Sequence, residues 1–196
     1  IPTAVFLRDT LKIVTSLREA KASIYAGKVK IDGVVRKSLH HAIGLMDVIE
    51  LENVSDIYRL VPTEGKILKP IKINESEKSK KLVRVVTKTS INKETTQTGF
   101  HDGRSTLAEV KASVGDTCVM QIPDQKILDI IKLEAGCQGL VVRGINAGQI
   151  GKVESVEKGT FILPKRVILI LGDKKIEIPA DIIMPIGKEE PVIQLK

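Results

Sequence analysis

The sequence predicts an α+β protein, mostly β, laid out as three consecutive small units. Three observations carry that prediction. Helical periodicity and a helix start signal fall within the first sixty residues, whereas the rest alternates short apolar runs with Gly, Pro, Asn and Asp turn signals. The stretch "GLVVRGINAGQIGKV", Gly139 to Val153, places four glycines between two apolar runs. At 196 residues the chain is long enough for one to three small cores, and the units are expected at 1–56, 57–135 and 136–196.

The elements follow in order. In "AVFLRDTLKIV" Leu7, Leu11 and Val14 share one helical face, with Arg8 and Lys12 on a neighbouring row. A second helix starts at the capping box Ser16-Leu17-Arg18-Glu19 and stops at Gly27, where a left-handed residue closes the last turn. "KVKIDGVVRK" is a hairpin with Asp32-Gly33 at its positive-φ corner, and "GLMDVIELE" supplies a further strand. Residues 57–135 read as short strands between turns at Pro62-Thr63-Glu64-Gly65, Asn92-Lys93, His101-Asp102-Gly103-Arg104, Val114-Gly115-Asp116 and Pro123-Asp124. "NESEKSKK" adds one helical turn with Asn74 as its cap. "KILDIIKL" fits a buried strand or a short helix, and strand is preferred.

The glycine stretch is not a phosphate loop. Gly144, Gly148 and Gly151 are spaced by three and then two residues, so the dinucleotide pattern is absent, and Lys152 is followed by Val153 rather than Ser or Thr. Val153 and Val156 continue as a strand, which leaves no helix N-terminus for a phosphate. The expected arrangement is strand, glycine loop, strand.

Composition narrows the function. No apolar run is long enough to span a membrane and the N-terminus lacks the order of a signal peptide, so a soluble intracellular protein is expected; the chain opens at Ile1 rather than Met, so residues upstream of it are expected too. Cys118 and Cys137 sit far apart in apolar settings that suit buried reduced thiols, and His40, His41 and His101 share no zinc-ligand spacing with them; no metal or cofactor is expected. The net charge of +7 is spread evenly: nine cations against seven anions over residues 1–60, thirteen against ten over 61–135, nine against seven over 136–196. That distribution suits a protein lying along a large polyanion, and equally a soluble protein with lysine-rich solvated faces. Trp is absent and Phe6, Tyr25, Tyr58, Phe100 and Phe161 are scattered singly, so a platform for stacking bases is not expected; an RNA partner would be held through phosphates, 2′-hydroxyls and shape. His101, Asp102 and Ser105 hold the residue types of a hydrolytic triad, but neighbours on one tight turn point apart, so "HDGR" is read as a hairpin corner with His101 and Arg104 turned toward RNA.

Family resemblances rest on particular residues. "EAKASIYAGKVKIDGVVRK" followed by "GLMDVIEL" resembles the S-four RNA-binding domain, through Ala20, Ile24, Gly27, Val29 and Gly33. That resemblance implies a basic groove for structured RNA built by Arg8, Lys12, Arg18, Lys21, Lys28, Lys30, Arg36 and Lys37; the family's arginine two residues before the acid Glu19 is Leu17 here, with Arg18 beside it. Residues 136–159 resemble the KOW motif of a small β barrel, through Val141, Val142, Gly144, Gly148, Gly151, Val153 and Val156. There the glycines would lie flat against an RNA backbone, while Arg143, Asn146, Gln149 and Lys152 donate to phosphate or ribose. A hairpin whose glycines serve only barrel curvature, or which binds protein, is the plainer alternative.

With "HDGR", "IPDQKILDIIKLE" and "RGINAGQIGK" in that order, the chain resembles the S-four-e family of small-subunit ribosomal proteins nearly end to end, differing by Arg143 where members often carry glycine. The resemblance implies a non-enzymatic structural protein of the ribosome in the cytoplasm, with small-subunit ribosomal RNA and neighbouring ribosomal proteins as partners, and neither a membrane nor a small-molecule substrate. It also implies a basic extension before Ile1. The sequence leaves two alternatives: an RNA-modifying enzyme of the pseudouridine synthase type, although Gly103-Arg104 continues with Ser105-Thr106 instead of Leu-Asp, and a KOW-bearing transcription or assembly factor.

Overall fold

The computed structural model describes residues 1–91, 95–172 and 174–195; the turn expected at Asn92-Lys93 lies outside the described residues. Three five-stranded antiparallel sheets follow one another along the chain.

The first unit begins with helix α1, Thr3–Val5, which passes directly into a π-helical turn over Phe6–Thr10. The expected helix through Val14 therefore ends early: Leu11 N–H bonds to Phe6 O in the wider π register, and Lys12 takes φ +55, which no helix continues. The apolar face is used nonetheless, with Leu7 buried and Leu11 and Val14 packed beside it. Helix α2, Leu17–Tyr25, starts where Ser16 Oγ accepts the Glu19 N–H at 3.2 Å, and Glu19 turns back to the N–H and hydroxyl of Thr15. It ends at Gly27, φ +80. Ala20 and Ile24, one turn apart, bury that helix against Phe6, Val29, Ile31, Ile49 and Leu60.

Strands β1 (Val29–Ile31) and β2 (Val34–Val35) form the expected hairpin, its corner at Asp32 (φ +51) and Gly33 (φ +75). Strands β3 (Val48–Leu51), β4 (Ile57–Thr63) and β5 (Lys66–Ile73) complete a sheet in the order β2-β1-β3-β4-β5. The boundary drawn after residue 56 thus cuts this sheet. Val48 pairs with Arg59 and Glu50 with Ile57, so 57–73 belongs with the first unit, because the turn after β3 simply returns the chain onto that strand's free edge.

The middle unit opens with a 3-10 turn, Glu75–Glu77, after Asn74, whose side chain makes no capping bond. Strands β6 (Lys80–Ser90), β7 (Thr96–Phe100), β8 (Ser105–Thr106), β9 (Thr117–Gln121) and β10 (Lys126–Ile131) assemble as β10-β9-β6-β7-β8. The ambiguous "KILDIIKL" is strand β10. Both cysteines are buried free thiols, and burial with nearby Asp116 pushes Cys118 up to about 11.

In the third unit β11 (Gln138–Val141), β12 (Ile150–Glu157), β13 (Arg166–Leu171), β14 (Lys174–Pro179) and β15 (Ile183–Gly187) pair in the order β14-β13-β12-β11-β15. The glycine stretch is indeed strand, loop, strand. Its close approach, however, is to the protein itself. A Cβ on Gly148 would stand 2.6 Å from Pro62 O and 2.9 Å from Thr63 Cα, and one on Gly151 would strike Ile170 O and Leu171. The flat face expected to receive RNA at these two glycines is occupied by β4 of the first unit and by the neighbouring strand β13.

The three units share a core. Met46 from the first, Leu82, Val119 and Ile131 from the second, and Leu140, Met184, Ile186 and Ile193 from the third form one buried cluster. Burying each such side chain contributes about 1.5–3 kcal/mol, so adhesion between units is mainly apolar.

Gly144 and Gly148 allow that packing to be tested. Both have positive φ, +92 and +84, but only Gly148 has backbone against it. Gly144→Ala should cost about 1–2 kcal/mol through its φ alone, and Gly148→Ala a further ~1–3 kcal/mol from overpacking. Urea unfolding of the two variants reads the difference.

Candidate nucleic-acid interface

Strand β6 carries Lys81 to a position 1% exposed, where its ammonium meets three carboxylates. Nζ lies 2.6 Å from Asp47 Oδ1, 2.8 Å from Asp32 Oδ2 and 3.1 Å from Asp102 Oδ2. Asp32 stands at the β1–β2 corner and Asp47 just before β3, so the first unit supplies two anions, while Asp102 and the cation come from the second. The other oxygen of each carboxylate takes a backbone N–H: Asp32 Oδ1 accepts the Val48 N–H, Asp47 Oδ2 the Gly44 N–H and Asp102 Oδ1 the Arg104 N–H. Arg104 adds a second cation, with Nη2 2.6 Å from Asp32 Oδ2 and Nε 3.5 Å from Asp102 Oδ2.

Burial by itself would push Lys81 down, but Asp47, Asp32 and Asp102 together hold it above the ordinary lysine value. Burial likewise works to raise Asp102, and Lys81, with the Arg104 N–H and guanidinium, brings it below the ordinary carboxylate range. Lys81 is therefore held as a cation and Asp102 as an anion at neutral pH.

Both ring nitrogens of His101 are engaged within the protein. Its Nδ1 accepts the Arg84 N–H at 3.0 Å and its Nε2 lies 3.3 Å from Leu45 O, a pairing that fits the neutral ring with its proton on Nε2. Burial holds its pKa below the usual histidine value. With both nitrogens taken, His101 has no ring donor or acceptor left over for RNA; it ties β6 to the segment before β3. Arg84 continues the linkage to the third unit, donating Nη1 to Asp181 O at 2.8 Å and Nη2 to Ala180 O at 3.1 Å.

Around this junction lies a half-enclosed cleft of about 930 Å³, lined by residues of all three units. Four of the expected RNA-binding residues line it: Arg36 after β2, His101 and Arg104 at the HDGR corner, and Arg143 after β11, with both ring nitrogens of His101 already engaged. Arg104 is partly spent on Asp32 and keeps a side-chain exposure of 21%. The others lie elsewhere. Lys12, Arg18, Lys21, Lys28, Lys30 and Lys37 are exposed on the first unit, with Lys21 Nζ 5.6 Å above the Tyr25 ring, and Arg8 is paired to its neighbour Asp9 at 2.6 Å. Asn146 and Gln149 are half-buried, and the Asn146 carbonyl accepts the Gln149 N–H within the loop. Lys152 is exposed on β12 opposite Gln138.

Sequence reasoning missed Lys81, Asp32, Asp47 and Arg84. A lysine beside Lys80 at a strand start reads as a solvated charge, and an Asp-Gly corner reads as a turn. Only the docking of two distant segments turns them into an ion cluster.

A buried ion cluster and a shared apolar core lock three cation-bearing β units into one framework, which suits a protein that binds a polyanion. Comparison with known proteins agrees with that class. Residues 54–127 match the ribosomal family S4e. The chain is 38% identical over 206 residues to small ribosomal subunit protein eS4 of Staphylothermus marinus, covering 99% of this chain and 81% of that protein, and 35% identical over 196 residues to eS4 of Methanothermobacter thermautotrophicus, covering 100% and 81%. The crystal structure of 30S ribosomal protein S4e from Thermoplasma acidophilum matches with a TM-score of 0.81 at 28% identity, over 96% of this chain and 95% of that one. The chain belongs to the S4e family of small-subunit ribosomal proteins.

Two outcomes follow from the junction. Lys81→Met leaves three buried carboxylates without their shared cation and should cost about 3–5 kcal/mol in urea unfolding. For His101 the unfolded chain takes up the proton first as pH falls through about 6.5, so its contribution is whole above that pH and declines below it. A His101→Gln variant, whose amide both accepts and donates, should lose that part of the slope between about pH 6.5 and 5 in pH-dependent unfolding.

Proposed function

We propose that this structural constituent of the small ribosomal subunit binds folded small-subunit ribosomal RNA and stabilises it through assembly and translation in the cytoplasm, beside neighbouring ribosomal proteins and without catalysis of its own. The helix pair and hairpin of the first unit act as an S-four-type RNA-binding domain, with Arg18, Lys21, Lys28, Lys30 and Lys37 on phosphates. The third unit acts as a KOW-type barrel unit in which Arg143 and Lys152 reach RNA.

The observation that carries this reading is the convergence of Arg36, Arg104 and Arg143, one from each unit, on a single cleft. Cations fixed on one framework do not have to be gathered on binding, so the gain from displacing counterions is not offset by ordering loose segments.

About eight phosphate contacts would give a log-log salt dependence with a slope on the order of six in steepness. Filter binding of the protein to small-subunit RNA across a salt series reads it directly. A paired Arg18→Glu, Lys21→Glu variant should lower both the affinity and the slope; a wild-type slope near one contradicts the electrostatic mechanism.

A further inference from the structure

We propose that the junction cleft is a receptor for one unpaired nucleotide bulged out of folded RNA, its phosphate held by Arg36 and Arg143 and its base laid against the apolar wall of Val86 and Val142. The proposal rests on the RNA-binding reading above and assigns it a specific pocket.

The size of the cleft suits a nucleotide. At about 930 Å³ it is far larger than a phosphate needs and lies within the ~300–1,000 Å³ of sites for nucleotide-sized molecules. It is also too confined for a double helix, whose grooves are read by surfaces rather than enclosed.

Its charges are unevenly spent, and this points to the ligand. Asp32, Asp47 and Asp102 on its floor are consumed by Lys81, Arg104 and backbone N–H groups. Among the described residues the guanidiniums of Arg36 and Arg143 have no hydrogen-bond or ion-pair partner, and the buried Nε groups of Arg36 and Arg84 have none either. Buried guanidinium N–H groups without acceptors are costly, and a phosphate oxygen is the acceptor that a planar fork fits best. Asp181, exposed on the rim where it attracts the Arg84 guanidinium, disfavours a second phosphate there.

Part of the wall is apolar. Val86 is 44% exposed on β6 and Val142 is half-buried after β11, and both line the same cleft. A base unstacked from its neighbours recovers apolar contact on such a surface, which offsets the cost of extruding it. One phosphate site beside one apolar wall matches one nucleotide of a bulge.

The test uses the full chain and two RNA hairpins, identical except that one carries a single unpaired adenosine. In fluorescence anisotropy at fixed salt the bulged hairpin should bind about tenfold tighter or more. Val86→Trp, which fills the cleft without altering charge, should abolish that preference, so that the bulged and the fully paired hairpins bind alike. Arg143→Ala and Arg36→Ala should lower bulged binding more than paired binding, with Arg143→Lys recovering part of the loss, and circular dichroism verifies that each variant is folded. Equal binding of the two hairpins, or a Val86→Trp variant that keeps the preference, overturns the proposal. Adenosine monophosphate saturating the cleft with no bulge preference overturns it in favour of a free mononucleotide. If neither hairpin binds at all, the RNA-binding reading fails instead, and the two failures are distinct.

Discussion

Lys81 puts an ammonium where water does not reach it, and this fixes how the first two units sit together. An isolated buried charge would cost far more than a domain's whole stability, so the three carboxylates around it cannot be absent from the folded state. Two of them belong to the first sheet, at its hairpin corner and at the entry to β3. The cation therefore selects one docking geometry. Gly33 shows how close that docking is: a Cβ there would lie 3.3 Å from Pro123 Cδ on the middle unit.

The magnitudes separate two roles. The shared core of Met46, Leu82, Leu140, Met184 and Ile186 is non-directional and supplies most of the adhesion. The ion cluster adds little net energy relative to an apolar replacement of the same shape, because desolvation offsets its attraction. What it adds is discrimination, since a shifted arrangement would strand charges in the interior. Arg84 and His101 extend the same logic: one side chain spans to Ala180 and Asp181 of the third unit while the other ties β6 to Leu45. The cleft lies around these contacts, so its shape depends on them.

Local patterns in the sequence were readable wherever short-range physics decides the outcome. Ser16 and Gly27 bracket α2, Asp32-Gly33 turns the first hairpin, and the spacing of Gly144, Gly148 and Gly151 excludes a phosphate loop in favour of strand, loop, strand. The first helix was misread in length because a π turn at Phe6–Thr10 keeps the same buried face with fewer helical residues. The boundary at residue 56 failed for a different reason: strand pairing is non-local, and nothing within "DIYRLVPT" says which edge it will join. Site residues divide along the same line. Arg36, Arg104 and Arg143 were identified as cations without any sign that they converge, and Gly148 was assigned to a ligand's backbone when its clearance is taken by Pro62 and Thr63.

The central claim is that three sheets behave as one body because a buried cation and a shared core make their docking obligatory. Native-state hydrogen exchange measures this most directly, by giving the opening free energy of amides in β3, β6 and β11 along a denaturant series. The account predicts that the slowest amides of all three strands converge on a single global opening. Separate openings for the three sheets, with the first exchanging while the others stay closed, would contradict it.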